Sequence, residues 1–364
     1  MINKEFFKNA EEVAEARGIS VNDVYDSFSK GLVNSYKKIY GNTSCRVVIN
    51  PDKCEILLYG VHKVVEQLSE EPLDPEAPAE MLLEDAKKIK ASYKVGDIVE
   101  QQINIKDFSR TAVGATKSVW TQGVRTRQRE LAYEHFKALE NEMVIAQVTN
   151  ITEKFISLDL GMNVSTILPI TELLPNDNLK IGSNVRVYIK RVEQTSKDPR
   201  VSVSRTDRAL VTRLMENYIP EIKSGVIEIK GIARDPGDRS KIALLSNDPH
   251  VDAIGSCVGE GGSRIRDIVN ALGGEKVDLY EWSEDPEELV TNALQPASVT
   301  QVIEIDEKNK TSRVVVPDEQ LSLAIGKSGQ NVRLAVQSCG WKIDIMPTSE
   351  AYQKGLILKW EKRN

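Results

Sequence analysis

The residues best placed to do chemistry lie in the stretch LAIGKSGQNVRLA, 323–335, where a lysine and a serine sit between two glycines. Gly326-Lys327-Ser328 matches the last three residues of a nucleotide-binding P-loop, GxxxxGK[ST], which cradles nucleotide phosphates with backbone N–H groups and a lysine. That motif needs glycine at position 321, which is Leu321. A second cluster, Gly259-Glu260-Gly261-Gly262, begins like the dinucleotide-binding GxGxxG but has Arg264 where the last glycine belongs. Neither loop fits a nucleotide cofactor. Both share the shorter pattern GxxG, which alone says little in a chain with 22 glycines.

The surroundings of the two loops repeat, and that is informative. Gly259 and Gly326 lie 67 residues apart. After the first loop, Ile265, Ile268, Val269 and Leu272 fall on one helical face, and the same offset gives Val332, Ala335, Val336 and Cys339. Arg266 maps onto Arg333, and Ile254 and Val258 map onto Leu321 and Ile325. Upstream, Val-Ile-Glu-Ile occurs at 226–229 and again at 302–305, followed by KIALL (241–245) and RVVV (313–316). Downstream, Lys276-Val277-Asp278-Leu279 matches Lys342-Ile343-Asp344-Ile345. Each copy reads helix, strand, strand, helix, GxxG, helix, strand, a supersecondary unit present twice.

Such a loop suits a polymer. Glycines remove the Cβ atoms that would keep a sugar-phosphate strand at a distance. The helix after the loop offers free N–H groups and the positive end of its dipole to a phosphate. This is the KH mode, in which GxxG clamps about four nucleotides of a single strand. The copies differ in charge. Glu260 in the first loop repels phosphate, with Arg264 and Arg266 available to compensate, whereas the second loop carries Lys327. We expect the second loop to bind backbone more strongly.

The elements that must carry these loops can be read from local patterns. Residues 137–205 contain five short apolar runs, MVIAQVTNI, KFISLDLG, VSTILPI, NVRVYIKRVEQ and PRVSVSR, separated by turn residues, which suggests a small OB-type barrel. Phe155 falls on its second strand, where it could stack a base or pack inside the barrel; Lys154, Arg186, Lys190 and Arg191 could line a groove. The N-terminal region opens with two helical patterns. Ser20-Val21-Asn22-Asp23 caps the second, whose apolar positions are Val24, Phe28, Leu32 and Tyr36. CRVVIN and CEILLYGVHKVV read as strands paired across Asn50-Pro51-Asp52-Lys53, and EQLSEEPLDPEAPAE reads as a surface loop. A long helix from Ser109 places Arg110, Lys117, Arg125 and Arg129 on one broad face. That face is either merely solvated or a surface for RNA phosphates or an acidic partner.

Composition excludes other classes. The 364-residue chain has a net charge of −6, so any nucleic-acid binding must come from local patches. Cys45, Cys54, Cys257 and Cys339 and the histidines His62, His135 and His250 are scattered without metal-ligand spacing, so we expect reduced thiols and no metal. No apolar run approaches the ~18 residues of a membrane span, and the N-terminal MINKEFFKNAEEVAEARG has no signal-peptide apolar block. We expect a cytoplasmic protein with no cofactor and no membrane partner. Clustered carboxylates for metal-assisted phosphoryl chemistry are absent from the sequence, which weighs against an RNA-degrading enzyme built from KH and S1 modules.

A helix-rich N-terminal domain, an OB-type domain and two KH units in that order resemble the bacterial NusA family of transcription elongation factors. The likeness is densest in RVSVSRTDRALVTRLMENYIPEIKSGVIEIKGIARDPGDRSKIAL, in VPDEQLSLAIGKSGQNVRLA and in KDFSRTAVGATKSVWTQGVRTRQRE. It implies a multidomain α+β chain: an N-terminal RNA polymerase-binding domain (1–135), an S1-type OB-fold domain (136–205), tandem KH domains of αββααβ form (206–283 and 284–350) and a tail (351–364), with the S1 and KH domains packed as one rigid unit. The implied protein is not an enzyme. It would bind core RNA polymerase near the flap and the RNA exit channel, meet the nascent transcript, promote pausing and intrinsic termination, and join antitermination complexes with other Nus factors, with the ribosome a further partner in coupled complexes. Residue by residue, the family's RNA-contacting motif falls on Gly326, Lys327, Ser328, Gly329, Gln330, Asn331 and Arg333, and on Gly259 to Gly262 with Ser263 and Arg264. The basic face of Arg110, Lys117, Arg125 and Arg129 then becomes a surface beside the exit channel. A ribosome-associated KH protein is the alternative binding class. The sequence stops short of the acidic C-terminal repeats of some members, so autoinhibition by them is not assumed, whether or not residue 364 is the natural end.

Overall fold

Ser20 shows how local chemistry sets the first element boundaries. The computed structural model describes residues 4–41, 44–69, 77–105 and 108–356. Helix α1 (Lys4–Arg17) is followed by α2 (Val21–Tyr40), and Ser20 caps α2 in a reciprocal box with Asp23. The Ser20 hydroxyl accepts from Asp23 N at 3.1 Å, and the Asp23 carboxylate accepts from Ser20 N at 3.2 Å. Val24, Leu32 and Tyr36 are buried as the periodicity requires, and Phe28 is half-buried. Strands β1 (Cys45–Asn50) and β2 (Glu55–Val65) pair antiparallel across the expected turn.

The third strand departs from the expected surface loop. Ala79 and Glu80, read as loop, begin β3 (Ala79–Leu82), which lies parallel to β2. Residues 70–76 of that stretch fall outside the described residues. Helix α3 (Leu83–Ile89) leads to β4 (Ile98–Ile103), antiparallel to β2, completing a four-stranded sheet. Helix α4 (Arg110–Ala138) starts one residue after Ser109, whose hydroxyl accepts from Ala112 N at 3.3 Å. Phe7, Val24, Leu32, Tyr36, Leu58 and Val124 meet in one core, joining α1, α2, the sheet and α4. The chain divides into two compact units, residues 1–135 with 194–199, and residues 136–193 with 200–364.

In the second unit, β5 (Met143–Ile151), β6 (Phe155–Asp159), β7 (Ser165–Pro169), β8 (Asn184–Glu193) and β9 (Arg200–Ser204) form one sheet in the order β7-β6-β5-β8-β9. The Thr166 hydroxyl donates to Val201 O, bringing β7 to β9 and nearly closing a barrel. The first KH unit comes next, with α5 (Arg208–Tyr218), α6 (Pro220–Lys223), β10 (Ile227–Asp235), β11 (Arg239–Ser246), α7 (Ala253–Val258), α8 (Ser263–Ala271) and β12 (Lys276–Glu281). The second has α9 (Pro286–Ala293), β13 (Gln301–Asp306), β14 (Thr311–Val316), α10 (Leu321–Ile325), α11 (Gln330–Cys339) and β15 (Lys342–Pro347), then α12 (Thr348–Gln353). In both sheets the first two strands are antiparallel and the last two parallel. The repeat read from sequence is thus a repeat of topology, with α6 as an extra turn in the first copy.

Buried chemistry joins the three domains of this unit. Met143 and Tyr188 of the barrel pack with Leu210, Val211 and Leu214 of α5. Ala243 and Tyr280 of the first KH unit share a core with Val290, Val314, Ala335 and Trp341 of the second. The Tyr280 hydroxyl donates to Ser338 Oγ at 2.9 Å across that boundary. Lys241 crosses it too, its Nζ donating to Gln295 O at 2.6 Å with the side chain only 1% exposed. Burial pushes this ammonium from 10.5 down to about 8, with Asp278 at 4.0 Å opposing the shift. A depressed folded-state value means that the unfolded chain holds the proton which the folded chain sheds between pH 8 and 10.5, so this group's contribution to stability rises with pH over that window. The stability difference between the native chain and Lys241→Met should therefore move toward the native chain by up to about 3 kcal/mol from pH 8 to 10.5. Urea midpoints of both proteins along that range check this, and a pH-independent difference would contradict it.

Candidate nucleic-acid interface

The two glycine loops adopt one geometry. Helix α7 ends at Gly259 (φ 74°, ψ 172°) and α10 ends at Gly326 (φ 75°, ψ 172°), a conformation open to glycine alone. Gly261 (φ 58°, ψ 21°) corresponds to Ser328 (φ 51°, ψ 32°), and Gly262 (φ 75°, ψ 21°) to Gly329 (φ 74°, ψ 16°). Gly262 N donates to Gly259 O at 3.0 Å and Gly329 N to Gly326 O at 3.1 Å, closing both loops in the same way. The first N–H of each following helix closes its loop, Ser263 N donating to Glu260 O and Gln330 N to Lys327 O. Neither α8 nor α11 has a side-chain cap for the N–H groups that come next, leaving the positive end of each helix to an anion.

Side chains around the loops sort into two roles. Glu260, Ser263, Lys327 and Ser328 are exposed, and Lys327 makes no ion pair among the described residues. By contrast, Arg264 and Asn331, which occupy equivalent positions, tie each loop down from below. Arg264 donates to Ser256 O at 2.7 Å and to Glu221 Oε2 at 2.8 Å. Asn331 is buried, and its Nδ2 donates to Ala324 O at 3.1 Å and Leu294 O at 3.0 Å. A methyl group on Gly259 would meet Arg264 Cγ at 2.8 Å, and one on Gly326 would meet Asn331 N at 2.7 Å. Asn331, expected within the RNA-contacting motif, thus has its amide inside, supporting the loop from below. Arg266 donates to Gly261 O at 2.6 Å. Gln330 and Arg333 turn toward Asp235 and Asp238 of the first KH unit.

Leu323 and Ile325, on the helix entering the second loop, are 45% and 38% exposed and offer an apolar surface beside it. Sequence reading overlooked Leu323, because an apolar residue in a short helix carries no mark of facing outward.

On the barrel, Ile156 and Leu158 point inward, so Phe155 lies half-buried on the outer face of β6 with Ser157. Nearby is a groove of about 600 Å³ lined by Ser157, Ile167, Lys190, Arg191 and Arg200. Lys190 and Arg191 thus fall where expected, Arg200 was missed, and Arg186 instead lies over the Tyr218 ring at 5.7 Å. Lys190 pairs with Glu172 at 3.0 Å. Burial pushes the Glu172 carboxyl up, but hydrogen bonds from Ser204, Thr206 and Lys190 outweigh it and hold the group below the usual carboxylate range. In the N-terminal unit, Lys117, Arg125 and Arg129 line one groove of about 630 Å³ floored by Gly114, Ser118 and Thr121, while Arg110 sits at the start of α4 outside it. Arg129 pairs with Asp198 of the 194–199 segment at 3.0 Å. The cysteines are free, and burial pushes the Cys257 thiol up to about 12, which suits a packing role.

Among the described residues no helix is long and apolar enough to cross a membrane. Four family models match in succession: the NusA N-terminal domain over residues 5–130, the S1 RNA binding domain over 137–204, the NusA-like first KH domain over 205–282 and the NusA-like second KH domain over 286–353. The chain is 41% identical over 357 residues to the transcription termination/antitermination protein NusA of Halalkalibacterium halodurans, covering 98% of this chain and 91% of that protein. It is 41% identical over 341 residues to NusA of Bacillus subtilis (93% and 90% covered) and 36% identical over 356 residues to NusA of Thermus thermophilus (94% and 89% covered). Domain order, paired glycine loops and near-full-length identity agree, and the chain belongs to the NusA family of transcription termination/antitermination proteins, with S1 and KH RNA-binding domains.

Proposed function

We propose that this protein is a cytoplasmic, non-enzymatic elongation factor that docks on core RNA polymerase near the flap and exit channel and holds the emerging single-stranded RNA. In this role it promotes pausing and intrinsic termination and takes part in antitermination, alongside other Nus factors. Residues 1–135 supply the polymerase contact, with Lys117, Arg125 and Arg129 facing the exiting transcript. The observation that carries the reading is the pair of uncapped helix N-termini behind glycine loops of one geometry, the second with an exposed lysine and an apolar flank. Backbone phosphate would lie over Gly326-Lys327-Ser328-Gly329, and bases would reach Leu323 and Ile325. Docking on polymerase raises the local RNA concentration, so weak loop contacts suffice despite the net charge of −6. In gel filtration the chain should co-elute with bacterial core RNA polymerase and not with small ribosomal subunits. The reverse result would favour the ribosome-associated alternative.

A further inference from the structure

Asp235 and Asp238 flank the β10–β11 turn and face the first turn of α11. Asp235 Oδ2 accepts from Gln330 Nε2 at 2.9 Å and from Arg333 Nη2 at 2.5 Å, and Asp238 Oδ2 accepts from Gln330 Nε2 at 2.6 Å. The first KH unit thus places two carboxylates against the helix that opens the second loop.

These carboxylates are held from several sides. Gly237 N, between them, donates to Glu275 Oε2 at 2.8 Å, and Glu275 is fully buried in an ion pair with Arg234 at 2.9 Å. Gly237 O accepts from Asn176 Nδ2 of the barrel at 2.8 Å, and a methyl on Gly237 would come within 2.5 Å of the Pro175 ring. Barrel and first KH unit together fix the backbone of the turn, which keeps both carboxylates beside α11.

A fixed carboxylate beside a helix N-terminus occupies the electrostatic role that a phosphate would take there. It also engages Arg333, which is otherwise 53% exposed and one turn from the loop. The first loop differs: among the described residues Arg266, equivalent to Arg333, donates to the Gly261 carbonyl and meets no carboxylate. The second loop's Arg333 therefore meets a carboxylate supplied by the neighbouring KH unit, whereas the carboxylate at the first loop, Glu221 on Arg264, comes from its own unit.

We propose that Asp235 and Asp238 are a built-in counter-anion that limits how tightly the second KH loop takes an RNA phosphate, so that the first KH unit tunes the second. This inference rests on the RNA-binding reading above. When RNA engages the loop, phosphate competes with Asp235 for Arg333, and binding is weaker and less salt-dependent than the loop's own chemistry would give.

The test uses the full chain and a short mixed-sequence single-stranded oligoribonucleotide, read by fluorescence anisotropy across a sodium chloride series. Asp235→Asn with Asp238→Asn keeps the side-chain shape and an accepting oxygen while removing both charges. Affinity should rise about 3- to 10-fold, and the slope of log affinity on log salt should steepen by about 0.7, one single-strand phosphate contact. Arg333→Gln should cost less than about twofold in the native background but should abolish the gain in the double-Asn background. Unchanged thermal unfolding of each variant shows that the fold is kept. If the native chain binds and Lys327→Asp weakens it, yet the double-Asn chain binds equally or more weakly, the carboxylates merely position Gln330 and Arg333 and the proposal is overturned while the RNA reading stands. Binding by the double-Asn chain where the native chain shows none supports the proposal. Failure of every protein to bind overturns both.

Discussion

Replacing Asp177 by alanine should cost about 3–5 kcal/mol, as much as truncating a fully buried core residue of the barrel. Asp177 receives Arg205 in a bidentate pair, Nε at 2.5 Å and Nη2 at 2.6 Å, and both side chains are 3% exposed. Arg205 also donates to Arg186 O at 2.7 Å and to Ala271 O of α8 at 3.1 Å, so one guanidinium stitches barrel strands to the first KH unit. Removing the carboxylate strands a buried charge, and that penalty exceeds the net worth of the pair itself. Two controls separate these terms. Asp177→Leu with Arg205→Met removes both charges and should recover most of the loss. Glu100→Ala, which breaks a pair with Arg46 whose side chains are 50% and 39% exposed, should cost less than about 1 kcal/mol. Urea unfolding of the three proteins gives the comparison, and equal costs for Asp177→Ala and Glu100→Ala would refute a buried lock between barrel and KH unit.

Gly326→Ala should reduce single-stranded RNA affinity by about tenfold or more while costing only about 1–3 kcal/mol of stability. Its backbone lies at φ 75°, ψ 172°, and the added methyl would sit 2.7 Å from Asn331 N and 2.9 Å from Asn331 Cβ. The loop must move, and the N–H groups that we propose receive phosphate move with it. Gly329→Ala is the contrasting variant. Gly329 has the ordinary left-handed conformation, with no protein atom within 4 Å of the new methyl, so it should cost about 1 kcal/mol. Its affinity loss should be the smaller one that a methyl facing the strand causes while the loop backbone stays in place. Similar RNA affinities for the two variants would show that loop geometry is not what binds.

Much of this fold is legible in the sequence, and the reason is locality. The Ser20–Asp23 box, the turn at Asn50–Lys53 and the GxxG loops each depend on residues a few positions apart, so type and spacing suffice. The twofold repeat is legible because two copies must bury the same helical face, Ile268 in one and Ala335 in the other. Strand β3 is hidden because four residues after a proline-bearing stretch have no period of their own and become a strand only by pairing with β2. Partners distant in sequence are equally hidden. Arg333 meets Asp235 from 98 residues away, and Asn331 meets Leu294 from 37. Residue type makes all of these candidates for RNA contact, and only tertiary packing separates a side chain that faces solvent, such as Lys327, from one that braces the loop.

The measurement that tests the central claim most directly is the lifetime of a hairpin-stabilised pause by purified bacterial RNA polymerase, with no addition, with this protein, and with Gly326→Ala. We expect a several-fold longer pause with the native chain and a smaller extension with the variant, because the polymerase contact persists while the RNA contact weakens. An unchanged pause with a folded native chain would contradict the proposed role.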